Sequence, residues 1–178
     1  ASGQVWAVTS GGLSGFDPGA NAFDVYTNTR GLAMNNSQAT GKDSRGWIWA
    51  AHQNGAITRI DPHTYAARII DDLRGEVFEF TTVLDAGNEV FVAANNGIYR
   101  MSFSAVSDNY RILEAIRDLG AFPGEARVAD LAMANGYIYA ATSFGLARAR
   151  LDQETLSAPD RWETFTASPG GLPENNLA

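Results

Sequence analysis

Two histidines and two short acidic segments are the side chains of this 178-residue chain that best suit acid–base or metal chemistry. His52 and His63 fall in successive turns of one repeat, on opposite faces, so we expect neither a catalytic dyad nor a metal pair. The Asp71–Asp72 pair would suit a hydrolase or lyase, but it lies in a loop where solvated charge is the default. The 43–46 segment resembles half of a calcium loop and lacks the downstream ligands, so a β-hairpin explains it better. We therefore predict no enzymatic activity, no cofactor and no metal.

Polar side chains suited to ligand binding follow an aromatic strand in each repeat. Amide and guanidinium groups offer paired donors and acceptors, and aromatic rings stack on the apolar faces of sugars. A carbohydrate or another neutral polar ligand would suit such a surface. The predicted ligand-binding residues are His52, Gln53, Arg74, Asn95, Ser143 and Phe144.

Phe144 and two asparagines that neighbour the predicted residues have competing interpretations. Asn54 and Asn96 precede glycine. Asparagine occurs in such turns more often because it tolerates positive φ than because it binds a ligand. Phe144 stands where the other repeats have glycine or asparagine, so it is either a rim anchor or packs against an adjacent domain.

The composition excludes several classes of partner. The net charge is -7 and no run of lysine or arginine occurs, which argues against nucleic acid and against an anionic membrane surface. No apolar stretch approaches the ~20 residues of a membrane helix, so this segment is not expected to insert, and no signal peptide is visible at its start. Cysteine is absent, which excludes disulfides and thiol chemistry.

The elements that must position these residues form an internal repeat. Each repeat has an aliphatic residue, an aromatic residue, two or three small residues, and a glycine six positions after the aromatic. The aromatics are 43, 42 and 48 residues apart, a period typical of four-stranded propeller blades; they are Trp6, Trp49, Phe91 and Tyr139.

This pattern predicts an all-β chain with four blades of four antiparallel strands and repeats at about 3–46, 47–88, 89–136 and 137–178. We expect the four repeated aromatics to be core residues, and Trp47 and Trp162 to be more exposed. The weak helical spacing of residues 113–119 falls where a loop is expected.

The chain resembles the two-component-regulator type of β-propeller repeat. The resemblance rests on Gly-Leu-Ala-Met-Asn-Asn at 31–36, Asp-Ser-Arg-Gly-Trp-Ile-Trp at 43–49, Asn54-Gly55 and Asp61-Pro62, and on Gly-Leu-Pro-Glu-Asn-Asn at 171–176. It implies a periplasmic or extracellular setting, either in the sensor half of a bacterial hybrid histidine kinase or in a secreted Bacteroidetes-type protein.

Two arrangements of the blades remain open. A closed four-bladed ring is one. An arc of a larger ring with six to eight blades is the other, and it is favoured because repeat arrays need their end faces covered, here by remaining blades or a second copy.

Three functions follow. The leading hypothesis is an extracytoplasmic propeller that senses or recognises a glycan, another polar ligand or a protein. The alternative is a structural or secretion-associated interaction propeller. The third is a polysaccharide-active lyase or hydrolase, for which His52 and Arg74 would be the starting residues.

Overall fold

The computed structural model describes residues 3–77, 79–168 and 171–177, and they form four antiparallel sheets arranged as propeller blades. Blade 1 contains β1 (Val5–Thr9), β2 (Gly12–Asp17) and β3 (Ala22–Tyr26). Blade 2 contains β4 (Ser37–Lys42), β5 (Ile48–His52), β6 (Ile57–Ile60) and β7 (Ala67–Ile70). Blade 3 contains β8 (Phe80–Asp85), β9 (Glu89–Ala94), β10 (Gly97–Ser104) and β11 (Asn109–Ile116). Blade 4 contains β12 (Val128–Ala134), β13 (Tyr137–Thr142), β14 (Gly145–Arg150) and β15 (Trp162–Phe165).

The predicted all-β propeller with four blades is confirmed, and blade 1 has three strands among the described residues. The chain runs through blades 2, 3 and 4 from the inner strand to the outer one. The glycine of each repeat turns the hairpin after the aromatic strand with a positive φ, as the pattern predicts, at Gly12, Gly55, Gly97 and Gly145.

The inner strands β4, β8 and β12 pack side by side, and each contains a register shift against its aromatic strand. In blades 2 and 3, the additional residue of this bulge forms a hydrogen bond to the next blade. Gln38 accepts the backbone N–H of Phe80 through Oε1 at 3.0 Å, and Thr81 donates its hydroxyl to the Val128 carbonyl at 2.6 Å. The bulges therefore join neighbouring blades as well as bending their strands.

The aromatic residues of the repeat are buried to different degrees. Trp49 and Phe91 are fully buried between blades, whereas Trp6 and Tyr139 are only half-buried. The core prediction therefore holds fully for the middle pair alone. Tyr139 is half-buried because its side chain lies on the end face of blade 4, which no blade formed by the described residues covers.

Two local predictions were wrong. Trp162 is 5% exposed and donates its indole N–H to the Leu156 carbonyl at 2.8 Å, whereas Trp47 is half-buried. The expected loop at 113–119 is strand as far as Ile116, because β11 pairs with β10 along that length.

Both end faces of the four-blade array present apolar side chains. On blade 1, Val5 is 62%, Phe23 71% and Val25 47% exposed. On blade 4, a hollow of about 290 Å³ is lined by Tyr139, Leu146, Arg148 and Phe165 together with Gly171 and Leu172. Among the described residues, blades 1 and 4 therefore leave each other's end faces uncovered.

Candidate functional site

The turns at one end of the blades hold most of the predicted site, and we call this surface the loop face. It consists of the hairpins after β1, β5, β9 and β13 and of the connections that lead into the inner strands. One backbone hydrogen bond recurs there, from the first residue after the aromatic strand to the carbonyl just before the inner strand. The three bonds join Gln53 to Asn36 (3.1 Å), Asn95 to Glu79 (3.0 Å) and Ser143 to Arg127 (3.3 Å). Three predicted site residues therefore share one repeated position.

The side chains around this position are polar and held in place. Gln53 and Asn95 are exposed, and Ser143 is half-buried. The Asn36 amide donates to Gln53 Oε1 at 2.5 Å. Arg127 donates to Glu79 Oε1 through Nε at 3.2 Å and Nη2 at 2.6 Å, which links the inner-strand loops of blades 3 and 4.

The other arginines of the loop face already have acidic partners. Arg74 pairs with Asp71 at 2.7 Å within its own loop. Arg117 lies 3.4 Å from Glu125 and 3.8 Å from Glu76. Since these pairs are largely exposed, each contributes little stability, and together they leave hydrogen-bonding groups as the main feature of the surface.

His52 is brought to the loop face but not to its surface. The side chain is 0% exposed at the end of β5. Its Nδ1 lies 3.0 Å from Ser37 Oγ, and its Nε2 lies 2.8 Å from Thr58 Oγ1. The structure therefore gives His52 a structural role, and its predicted contact with a ligand is not available in this conformation.

The hydrogen bonds around His52 favour a neutral ring protonated on Nδ1. Thr58 Oγ1 accepts the Ala33 N–H at 3.0 Å, which leaves its own hydrogen for His52 Nε2. Ser37 donates to the Asn35 carbonyl at 3.3 Å, which leaves its oxygen to accept from Nδ1. Burial, followed by the positive charge of Arg74, lowers the pKa of His52 to about 4. His52 therefore fastens the 33–37 segment to blade 2 as a neutral group.

Phe144 packs within its own blade. Its ring lies 6.0 Å from the Phe122 ring, centroid to centroid, and the side chain is half-buried against the core between blades 3 and 4. The contact is made with the loop that leads into β12 rather than with another domain. Sequence reasoning missed Phe122 because nothing in the repeat pattern marks it.

The asparagines before the hairpin glycines serve the turns in a different way than expected. Positive φ is found at Gly55 and Gly97 rather than at the asparagines. Asn54 instead accepts the Ala56 N–H at 3.1 Å, and Asn96 accepts the Tyr99 hydroxyl at 3.1 Å. Local side-chain hydrogen bonding of this kind is a common function of asparagine in turns.

A second concave site lies between blades 1 and 2, and the sequence analysis did not identify it. We call it the blade 1–2 cleft. Its volume is about 310 Å³, and its walls include Trp6, Gly15, Asp24, Tyr26, Arg30 and Tyr65. The Trp6 and Tyr26 ring centroids are 5.7 Å apart, and those of Tyr26 and Tyr65 are 5.9 Å apart.

Charged groups complete the blade 1–2 cleft. Arg30 bonds Asp24 Oδ1 at 2.6 Å, and its guanidinium carbon lies 4.9 Å from the Tyr26 ring centroid and 5.6 Å from that of Tyr65. Burial, followed by the charge of Asp24, raises the pKa of the Tyr26 hydroxyl, which therefore stays protonated. The cleft combines aromatic walls with hydrogen-bonding groups, as small-ligand sites do.

Within residues 3–77, 79–168 and 171–177, no three histidine or acidic side chains are grouped closely enough to hold a metal ion. In that same part of the chain, no helix has the length and apolar character needed to cross a membrane.

No protein-family model matches the chain, and no curated protein sequence matches it. Among solved structures, the extracellular domain of the hybrid two-component system BT4673 from B. thetaiotaomicron is 18% identical, with a TM-score of 0.65 over 93% of this chain. PorZ of Porphyromonas gingivalis, an essential surface component of the type-IX secretion system, is 15% identical, with a TM-score of 0.71 over 92% of this chain. The chain spans 23% of the length of the first structure and 21% of the second.

These neighbours support the predicted resemblance to two-component-regulator propellers, and at such identities they show the fold alone. The fold also occurs in an enzyme, the dihydro-heme d1 dehydrogenase NirN, which is 14% identical with a TM-score of 0.64 over 94% of this chain and 38% of its own. Function must therefore be argued from the sites.

Proposed function

We propose that this chain is a recognition segment of an extracytoplasmic sensing propeller that binds a carbohydrate or another neutral polar ligand at its loop face. The observation that carries the proposal is the repeated placement of Gln53, Asn95 and Ser143 in three successive blades. Their backbones are fixed by hydrogen bonds between loops, so little ordering entropy is lost when a ligand binds. The paired charges beside them favour a neutral ligand.

The extracytoplasmic setting is supported by the neighbouring structures from B. thetaiotaomicron, which are extracellular domains of two-component systems. A non-enzymatic function is supported by His52. With both ring nitrogens occupied and no exposed surface, it offers no acid or base to a substrate at the loop face.

Calorimetry against a panel of neutral oligosaccharides tests the loop-face site. In a triple variant, Gln53→Ala, Asn95→Ala and Ser143→Ala remove side-chain groups and leave the recurring backbone bonds intact. We expect affinity for any bound glycan to fall about tenfold or more, since each lost hydrogen bond is worth about 1 kcal/mol.

A matched double variant, Asn88→Ala with Ser107→Ala, changes exposed polar residues in turns at the opposite ends of the sheets and should bind normally. The proposal fails if no glycan binds across the panel, or if the loop-face variant binds as tightly as the wild type.

A second candidate function is protein interaction, and the exposed apolar end face of blade 1 favours it. We propose that further blades or a second copy cover Val5, Phe23 and Val25, because side chains of this size are seldom left exposed together. Sedimentation of a Phe23→Lys, Val25→Lys variant tests a second copy. Loss of self-association in this variant supports a second copy as the occupant of the end face. If the wild type stays monomeric at high concentration, a second copy is excluded and further blades are the proposed occupant.

A further inference from the structure

Arginine recurs at one position of the repeat, directly across the strand ladder from the aromatic residue. Arg59 faces Trp49, Arg100 faces Phe91, and Arg148 faces Tyr139. In blade 1 the residue that faces Trp6 is Gly15. The position across from the aromatic residue in blade 1 therefore lacks the arginine found in the other three blades, and the guanidinium of this cleft, Arg30, comes from the segment after the outer strand.

The three guanidinium groups have similar surroundings. Arg59 is 3.3 Å from Asp43 Oδ2, and its guanidinium carbon is 4.7 Å from the Tyr110 ring centroid. Arg148 donates to Glu163 at 2.8 Å and lies 5.1 Å from the Phe165 ring centroid. Arg100 is bound by Glu89 and Glu114. A carboxylate holds the cation each time, and aromatic rings flank two of the three.

Blade 1 keeps the acidic residue of the outer strand, Asp24, which pairs with Arg30 at 2.6 Å rather than with a residue at the Gly15 position. Glu114 and Glu163 stand opposite Arg100 and Arg148 on the outer strand, and Asp24 stands opposite Gly15 in the same way. A Cβ at Gly15 would lie 2.7 Å from the Trp6 ring, so the indole rests on the glycine backbone and forms a wall of the cleft.

Tyr65 is a second departure from the repeat at the same cleft. In three blades a residue one or two positions before the outer strand has positive φ: 48° at Asn21, 61° at Tyr65 and 50° at Asp108. Asparagine and aspartate tolerate this conformation, whereas a bulky aromatic residue there is an outlier. Such outliers concentrate at functional sites. This one directs a ring that is 54% exposed into the cleft.

We infer that the blade 1–2 cleft binds a guanidinium group supplied by a ligand, in the place where the other blades hold their own arginine. Asp17 and Asp24 line the cleft with Arg30, so the local charge favours a monovalent cation. No arginine of the described chain lies over the Trp6 ring, and a tryptophan face is the strongest cation–π partner among the side chains. This site is separate from the loop face and does not depend on the function proposed there.

Fluorine NMR of the protein labelled with 5-fluorotryptophan tests the inference, with the Trp6 resonance assigned by Trp6→Phe. Methylguanidinium should shift the Trp6 resonance saturably, and methylurea, a neutral molecule of the same shape, should not. N-acetyl-arginine amide and a peptide with one arginine then separate a small-molecule source from a peptide source, and the tighter of the two identifies it.

Two variants connect the signal to the cleft. Gly15→Arg places an arginine at the repeat position, displaces the Trp6 ring through its Cβ and should abolish the response, whereas Val106→Arg adds the same charge at a fully exposed turn and should not. Tyr65→Asn restores the residue type of the equivalent turns, so it should fold, and it should weaken binding about three- to fivefold. The inference is overturned if methylurea or a neutral monosaccharide gives the response and methylguanidinium does not, or if affinity is unchanged in both cleft variants.

Discussion

The interface between blades 2 and 3 and the interface between blades 1 and 2 are built from the same strand positions. In the first, Arg59 fills the space beside Trp49 and is 1% exposed. In the second, Gly15 stands beside Trp6, the indole is half-buried, and a cleft of about 310 Å³ remains. The backbone register is the same in both interfaces, so the open one differs by a glycine in place of the arginine and by the inner strand that blade 1 lacks among the described residues.

The largest loss in the free energy of unfolding should come from Arg59→Gly, which opens the closed interface. Asp43 would then be buried without its cation, and removal of one partner from a buried ion pair costs about 3–5 kcal/mol. Denaturant unfolding measures the loss.

Arg148→Gly is the matched control, because it changes the same repeat position on an end face where the Arg148 side chain is 32% and its Glu163 partner 57% exposed. Its ion pair should contribute no more than about 1 kcal/mol. Equal losses in the two variants would contradict the distinction between a closed interface and an open one.

A smaller loss of stability should occur at low pH, where protonation of His52 weakens its contacts with the segment that joins blades 1 and 2. The pKa of His52 is about 4 in the folded state, below the ordinary 6.5. The stability that neutral His52 contributes is therefore fully present above pH 6.5 and is lost as the pH falls toward 4. The free energy of unfolding should decrease by about 3 kcal/mol over that range.

His52→Gln should remove this part of the pH dependence, and His63→Gln, at an exposed turn of the same blade, should keep it. Hydrogen exchange should detect opening of residues 33–37 before the interface between blades 2 and 3 opens. Parallel stability curves for the wild type and His52→Gln between pH 7 and 4.5 would refute this assignment.

The smallest change in the free energy of unfolding concerns the turn with positive φ that contains Tyr65 at the open interface and its equivalent at Asp108 in blade 3. Asp108→Tyr places a tyrosine at a φ of 50° and should cost about 1 kcal/mol, because the side chain crowds the following carbonyl in this conformation. Tyr65→Asn should leave the free energy of unfolding unchanged or raise it slightly, although it removes an aromatic contact. If Tyr65→Asn lowers the free energy of unfolding by more than 1 kcal/mol, the Tyr65 side chain stabilises the fold and is not present to bind a ligand.

Much of the fold was predictable from the repeat. The aromatic residue fixes the buried strand, and the glycine six positions later fixes the hairpin, because a Cβ at Gly55 would lie 2.0 Å from the Leu73 carbonyl oxygen. Both are local requirements that sequence spacing reveals. The equivalence of Gln53, Asn95 and Ser143 on the loop face follows from the same spacing.

The candidate sites were less predictable because they depend on contacts between distant segments. His52 was expected at the surface, but its burial is decided by Ser37 and Thr58, which flank it across the sheet. Gly15 can be aligned with Arg59, Arg100 and Arg148 in the sequence. That the substitution opens a cleft depends on where the Trp6 ring lies.

The period, the strands, the hairpin glycines and the acidic, cysteine-free composition are all specified by the amino-acid sequence, since they arise from local conformation and residue type. Which interfaces between blades are closed and which are open depends instead on the packing of the folded chain. Blade 1 brings Trp6 and Gly15 to the cleft, and blade 2 brings Tyr65 from a turn fifty residues later. Burial, ion pairing and cavity shape are properties of such neighbours, and a repeat pattern does not encode which side chain the next blade will place opposite.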